Sequence, residues 1–201
     1  MSVSFGMGLG NFRTLSKSGF TDTVTSPMYP AWVFEKIGMF DSRLTRNQDD
    51  DFNFRVHKAG GKIFFAADIS LRYYVRGNYR QLWKQFYQYG YWKVYVNRKH
   101  RAVTTFRQLI PPLFVLFLFS LPLAFLPIPY LGLAQVFFLA LYMVLCIVFG
   151  KKLGTTRIEE SQIASVFPIL HISYGLGYLK GIWRFLILRK EPEENASKLS
   201  R

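Results

Sequence analysis

The chain has 201 residues, half of them hydrophobic and 18% aromatic, yet it carries a formal charge of +14. That combination excludes an ordinary soluble globule and suits a protein with one part in lipid and another beside anionic headgroups. A single cysteine, Cys146, excludes a disulfide framework and leaves the redox compartment open.

Met1 to Arg13 has no apolar core, so no signal peptide is expected there. Gly6, Gly8 and Gly10 lack the spacing of a nucleotide-binding turn, and no strand precedes them. A strand is predicted over Phe20 to Thr25. A short helix follows, from Ala31 to Ile37, ending at Gly38, a natural place for a left-handed cap. Asn47 reads as the N-cap of a second helix that runs to Lys58 and stops at Gly60-Gly61. Two strands rich in Phe, Ile and Tyr are expected over Lys62 to Ala66 and Ile69 to Val75. Residues 1–78 therefore read as α/β, with too few βαβ units to close a doubly wound sheet. A further portion is expected upstream.

Residues 79–107 are aromatic and basic. Trp83, Phe86, Tyr87, Gly90, Tyr91 and Val94 recur at helical spacing and line one face of a helix over Tyr79 to Asn97. Arg80, Lys84, Gln88 and Lys93 lie largely off that face. Such a helix either rests along a membrane interface, with its ammonium groups at the phosphates, or packs on a soluble core.

Residues 108–190 are strongly apolar. Leu109 to Leu126 and Tyr130 to Phe149 contain no charge and approach the ~20 residues that a bilayer core requires. Pro111 and Pro112 mark the start of a helical hairpin, Pro122 a kink, and Pro127 and Pro129 its turn. Arg98, Lys99, Arg101 and Arg107 precede the hairpin and Lys151, Lys152 and Arg157 follow it, while the turn has no basic residue. The positive-inside rule then puts both ends, and residues 1–78, on the cytoplasmic side of a multi-pass inner-membrane protein. Ile163 to Leu188 is apolar enough to span but holds His171, Lys180 and Arg184, so spanning and lying flat both remain open. His171 reads as a packing residue. Gly175, Gly177 and Gly181 suit close helix packing. Residues 191–201 form a polar tail expected to fray. The basic residues flank apolar runs and form no stripe of their own, which argues against a nucleic-acid partner.

The stretch from Arg46 to Arg55 carries three consecutive acids, Asp49, Asp50 and Asp51. Acids in a first helical turn suit the helix dipole, and Asp51 with Arg55 is an ordinary i,i+4 pair. Three adjacent side chains at a helix start point in different directions, which argues against one shared metal ion.

Several blocks occur in order: Gly10-Asn11-Phe12-Arg13-Thr14, Asp22-Thr23-Val24, Val33 to Asp41, Arg46 to Arg55, Lys58 to Ile63, and Gln85 to Lys93. Over about Gly8 to Pro112 this order resembles the second half of family 2 glycosyltransferases of the bacterial exopolysaccharide type, notably the succinoglycan glucosyltransferases.

The resemblance implies the C-terminal part of a GT-A domain, followed by the transmembrane hairpin and a third apolar helix. It implies an inverting transfer of sugar from a nucleotide-sugar donor, UDP-linked by expectation, to a lipid-linked or polysaccharide acceptor at a membrane. Asp49 occupies the aspartate of the family's Glu-Asp motif and so its catalytic base, with Asp50 the alternative one register later. Gln48 stands where many members have Glu. Asp51 and Arg55 match later positions of the same motif. Phe40-Asp41 matches a loop lining the acceptor side. Gln88-Tyr89-Gly90-Tyr91-Trp92 loosely resembles the Gln-x-x-Arg-Trp motif of processive members. Tyr91 replaces its arginine, which favours single-sugar transfer; Trp92 either stacks on an acceptor sugar or anchors at the interface. The family's Asp-x-Asp motif, where Mg²⁺ or Mn²⁺ holds the diphosphate, does not precede Asp22. No cofactor is therefore expected on this chain, and a separate N-terminal half is the expected partner. The second hypothesis is a non-catalytic membrane accessory subunit or remnant of the same family.

Overall fold

A computed structural model of the chain describes residues 17–21, 23–24, 27–69, 77–103, 106–126, 128 and 130–192. The Gly10 to Thr14 block, Asp22, most of the strand expected over Ile69 to Val75, Pro127, Pro129 and the tail from residue 193 lie outside them.

The α/β unit is small. Strand β1 (Gly19–Thr21) pairs antiparallel with β2 (Ile63–Phe65), Phe20 opposite Phe64. Helix α1 (Ala31–Ile37) ends where glycine allows it to: Gly38 takes φ 80°, and its N–H bonds to the Phe34 carbonyl. Its ψ of 173° lies outside the left-handed region expected for a cap there. Helix α2 (Gln48–Lys58) begins after Asn47, as expected, but Asn47 does not cap it with its side chain. Asn47 itself is left-handed, and its Nδ2 donates to Asp50 Oδ2 at 3.1 Å. Val33, Phe52, Val56 and Ile63 form the core between α1, α2 and β2.

Helix α3 (Tyr79–His100) starts at Asn78, whose side chain accepts from the Gln81 N–H at 2.8 Å. A 3-10 turn (Phe106–Leu109) leads into α4 (Ile110–Ser120), which tightens to a second 3-10 turn (Leu121–Phe125) around Pro122. Helix α5 (Leu131–Leu153) returns, and α6 (Arg157–Gly181) closes the fold with a π-helical end (Ile182–Ile187). Phe106–Ala124 and Leu131–Leu153 are long and apolar enough to cross a membrane, and both are mostly exposed.

Helix α6 is the hub: it packs on α3, α4 and α5. It runs parallel to α3, with Tyr79 beside Ser165, Gly90 beside Tyr174 and Tyr91 beside Gly181. A side chain at Gly90 or Gly177 would collide with the facing backbone of Tyr174 or Tyr87, so these glycines set the helix separation. The aromatic face of α3 thus meets α6. The core there comprises Leu44, Trp92, Val94, Tyr95, Val96, Tyr174, Tyr178 and Phe185. The tail is pinned at its start, since Arg98 donates to the Lys190 carbonyl and to Glu191.

In the hairpin, Gln135 Nε2 donates to the Ser120 carbonyl at 2.8 Å and to Ser120 Oγ at 3.1 Å. That carbonyl sits where the α-helical ladder gives way to the 3-10 turn. A glutamine on the facing helix thus supplies a donor to a carbonyl at the helix end.

Candidate active site

The acidic run opens α2 with three carboxylates that diverge. Asp51 points inward and is fully buried. Its Oδ2 accepts from Arg55 Nε at 3.2 Å, and its Oδ1 lies 2.8 Å from both Lys99 Nζ and His100 Nε2. Asp50 faces α3, where Oδ2 accepts from Lys93 Nζ at 2.9 Å. Asp49 faces outward: its Oδ1 accepts the Asp50 N–H at 3.0 Å, and among the described residues it has no ion-pair partner.

Its surroundings have an electrostatic consequence. Asp49 is open to water on one side, but the protein behind it desolvates its carboxyl, and the Asp50 charge adds to the effect. Both push its pKa above the usual carboxylate range. Tyr29 is near enough to feel the same charge: burial first, then Asp49, raise its hydroxyl to about 12. The Tyr29 hydroxyl donates to Asn53 Oδ1, and Asn53 Nδ2 donates to Thr23 Oγ1 at 2.7 Å. This polar row beside Asp49 is absent from the sequence reading. Only Asn53, one helical turn after Asp49, offered a signal for it.

Arg55 ties the motif to the loop after α1. Its Nη1 donates to the Ile37 carbonyl at 2.6 Å and to Gly38 at 3.3 Å, and its Nη2 to Met39 at 2.9 Å. One guanidinium fork thereby satisfies the open carbonyl end of α1 and fixes the Gly38–Asp41 loop on α2. Phe40 packs on Phe52 with ring centroids 4.6 Å apart and keeps a partly exposed edge. Asp41 is occupied: Arg43 holds it with two donors at 3.0 Å and Lys99 with one at 2.7 Å. Those cations keep its carboxyl well below the usual range, Arg43 foremost.

The remaining expected site residues have other partners. Gln48 donates to the Leu44 carbonyl at 2.5 Å. Gln88 accepts from Arg46 Nε at 3.2 Å, which links the loop before α2 to α3. Trp92 is only 3% exposed and packs among Tyr91, Tyr95 and Phe185. Its ring lies in the α3–α6 core, so neither a sugar-stacking face nor an interfacial anchor is open to it. The motif resemblance paired Trp92 with Gln88 but could not tell which neighbour covers it.

The arrangement offers one exposed carboxylate able to accept a proton, at a helix start, beside a row of neutral hydrogen-bonding groups. It does not fit a divalent cation, because the three carboxylates turn away from one another. The surrounding cations are committed as well: Lys93 to Asp50, Lys99 to Asp41 and Asp51, Arg55 to Asp51 and three carbonyls.

Against known proteins, the chain is 32% identical over 79 residues to the succinoglycan biosynthesis protein ExoA of Rhizobium meliloti (strain 1021). The matched stretch is 39% of this chain and 24% of that protein's length. No family model and no solved structure matches the chain.

Proposed function

We propose that this chain is the base-bearing, acceptor-side part of an inverting family 2 glycosyltransferase on a GT-A framework, acting at the cytoplasmic face of a membrane in exopolysaccharide synthesis. The similarity to a succinoglycan biosynthesis protein supports the reaction class. The observation that carries the site is that Asp49 alone, among the three acids opening α2, has no cation paired with it among the described residues.

In the proposed reaction an acceptor hydroxyl attacks the anomeric carbon of a nucleotide-sugar from the face opposite the leaving nucleoside diphosphate. Asp49 takes the hydroxyl proton as the new glycosidic bond forms and the bond to the diphosphate breaks. Positioned base catalysis of this kind contributes about 10²–10⁴-fold. The raised Asp49 pKa strengthens it as a base. Arg55 holds the Phe40 loop in register with that base. Binding of the donor diphosphate, with Mg²⁺ or Mn²⁺, falls to a nucleotide-binding portion beyond these residues.

The membrane reading rests on the α4–α5 hairpin. Its apolar flanks face outward, and basic residues stand at both ends. Helix α6 runs parallel to α3, which Lys93 and Lys99 tie to the α/β unit, and this favours α6 packing on that unit and the hairpin rather than standing alone in lipid.

The test is reconstitution. The chain is co-expressed with a segment supplying the nucleotide-binding half, and transfer from labelled UDP-sugars into the membrane lipid fraction is measured. Transfer requiring both portions supports the reading. Membrane association without transfer from any nucleotide-sugar favours an accessory role and removes the enzymatic one.

A further inference from the structure

Where α5 hands over to α6, a cavity of about 660 Å³ opens, lined by Ile147, Lys151, Arg157, Glu160, Ser161 and Ala164. It lies far along α6 from the acidic run of α2, which approaches α6 near Tyr174. Two features give it chemistry. Lys151 and Arg157 have no carboxylate within ion-pair distance among the described residues, so two cations reach one hollow without partners. Ile147 and Ala164 form an apolar wall, continuous with the outward face of α5 at Val144 and Val148. The cavity is thus polar and cationic at its rim and apolar along the helix.

We propose that this cavity holds the headgroup of an anionic phosphodiester lipid, its phosphate between Lys151 and Arg157 and its acyl chains along Ile147 and Val144. Basic pockets between apolar helices at the cytoplasmic boundary are the usual place for such headgroups. Charge sets the class. Lys151 and Arg157 contribute +2 and Glu160 −1, so the lining is left with +1, which a single phosphodiester charge neutralises. Ser161 adds a hydroxyl within the lining for a glycerol-type headgroup. This inference rests on the membrane reading above but not on the catalytic one.

The full chain is purified in a neutral detergent and titrated with phosphatidylglycerol, phosphatidylcholine or inorganic phosphate, with melting temperature as the readout. Phosphatidylglycerol is expected to raise the melting temperature saturably, and the other two to leave it unchanged. The double variant Lys151→Gln/Arg157→Gln is expected to weaken that response about 30-fold, from roughly two charge contacts. Glu160→Gln is expected to strengthen it. Arg189→Gln/Lys190→Gln, elsewhere on the surface, is expected to respond as the parent does. An unchanged response in the Lys151/Arg157 variant, an equal response to phosphatidylcholine or inorganic phosphate, or no response in the parent overturns the proposal. Flotation with phosphatidylcholine vesicles keeps the two readings apart: a parent that floats while the titration fails loses only the headgroup site, and one that does not float loses the membrane reading too.

Discussion

Lys93 and Asp50 form an ion pair 2.9 Å long between α3 and α2, and Asp49, one residue earlier, has none among the described residues. The acids are adjacent in sequence but serve three ends. Asp51 is a buried junction for Arg55, Lys99 and His100, Asp50 joins two helices, and Asp49 faces outward. Which carboxylate stays available is decided by residues more than forty positions away in the chain.

Asp49 is expected to cost stability for its role. A carboxyl whose folded pKa is raised favours the fold when protonated, and that contribution disappears as pH rises through the folded pKa. At pH 7 the charged form is therefore the less stable one. Asp49→Asn is expected to melt at a higher temperature than the parent at pH 7. The gap should close below the ordinary aspartate value of 3.8. Calorimetry at the two pH values checks this, and a lower melting temperature at pH 7 contradicts it.

The pH–rate profile carries a related expectation. An ionised base is required, so transfer should fall as pH drops through the Asp49 pKa, with an acid limb above 3.8. Asp50 is the second cause of that raised value. Asp50→Asn also frees Lys93, so it is expected to move the limb to lower pH. Profiles of kcat/KM for the two proteins test this; a limb that stays in place removes Asp50 as the cause.

Much of the local structure was legible. The bounds of α1 and α2 follow from Gly38 and from the polar stretch ending at Asn47, signals that act within a few residues. The two apolar helices were equally plain, because their uncharged runs are long enough to cross a membrane. What sequence could not reach was partnership. Of the periodic face predicted on α3, Tyr87, Gly90, Tyr91 and Val94 lie against α6 and Trp83 stays exposed; periodicity does not say whether lipid or another helix covers a face. The same limit hid Trp92 in the core and left the burial of Asp51 undetected, since Lys99 and His100 are distant along the chain.

Asp51 gives a stability prediction of the opposite sign. Asp51→Ala removes the buried carboxylate that Arg55, Lys99 and His100 share, and only Lys99 keeps another, Asp41. Removing one partner of a buried charged cluster costs about 3–5 kcal/mol. The variant should melt well below the parent while Asp49→Asn does not, and equal melting temperatures contradict the assignment of Asp51 as a structural junction.

The α3–α6 contact is testable through its glycines. Gly177→Val inserts a side chain against the Tyr87 backbone, and overpacking of this kind typically costs about 1–3 kcal/mol. Gly77→Ala, where nothing lies within 4 Å, is the control and should be near neutral. Thermal melts of both variants decide whether the two helices meet as closely as described.

The most direct measurement sets Asp49→Asn beside Asp50→Asn in the reconstituted transfer assay, with both proteins confirmed folded. A loss of about 10²–10⁴-fold in kcat for Asp49→Asn, with Asp50→Asn retaining most activity, is the predicted result. Retained transfer by Asp49→Asn, or a larger loss from Asp50→Asn, contradicts the base assignment.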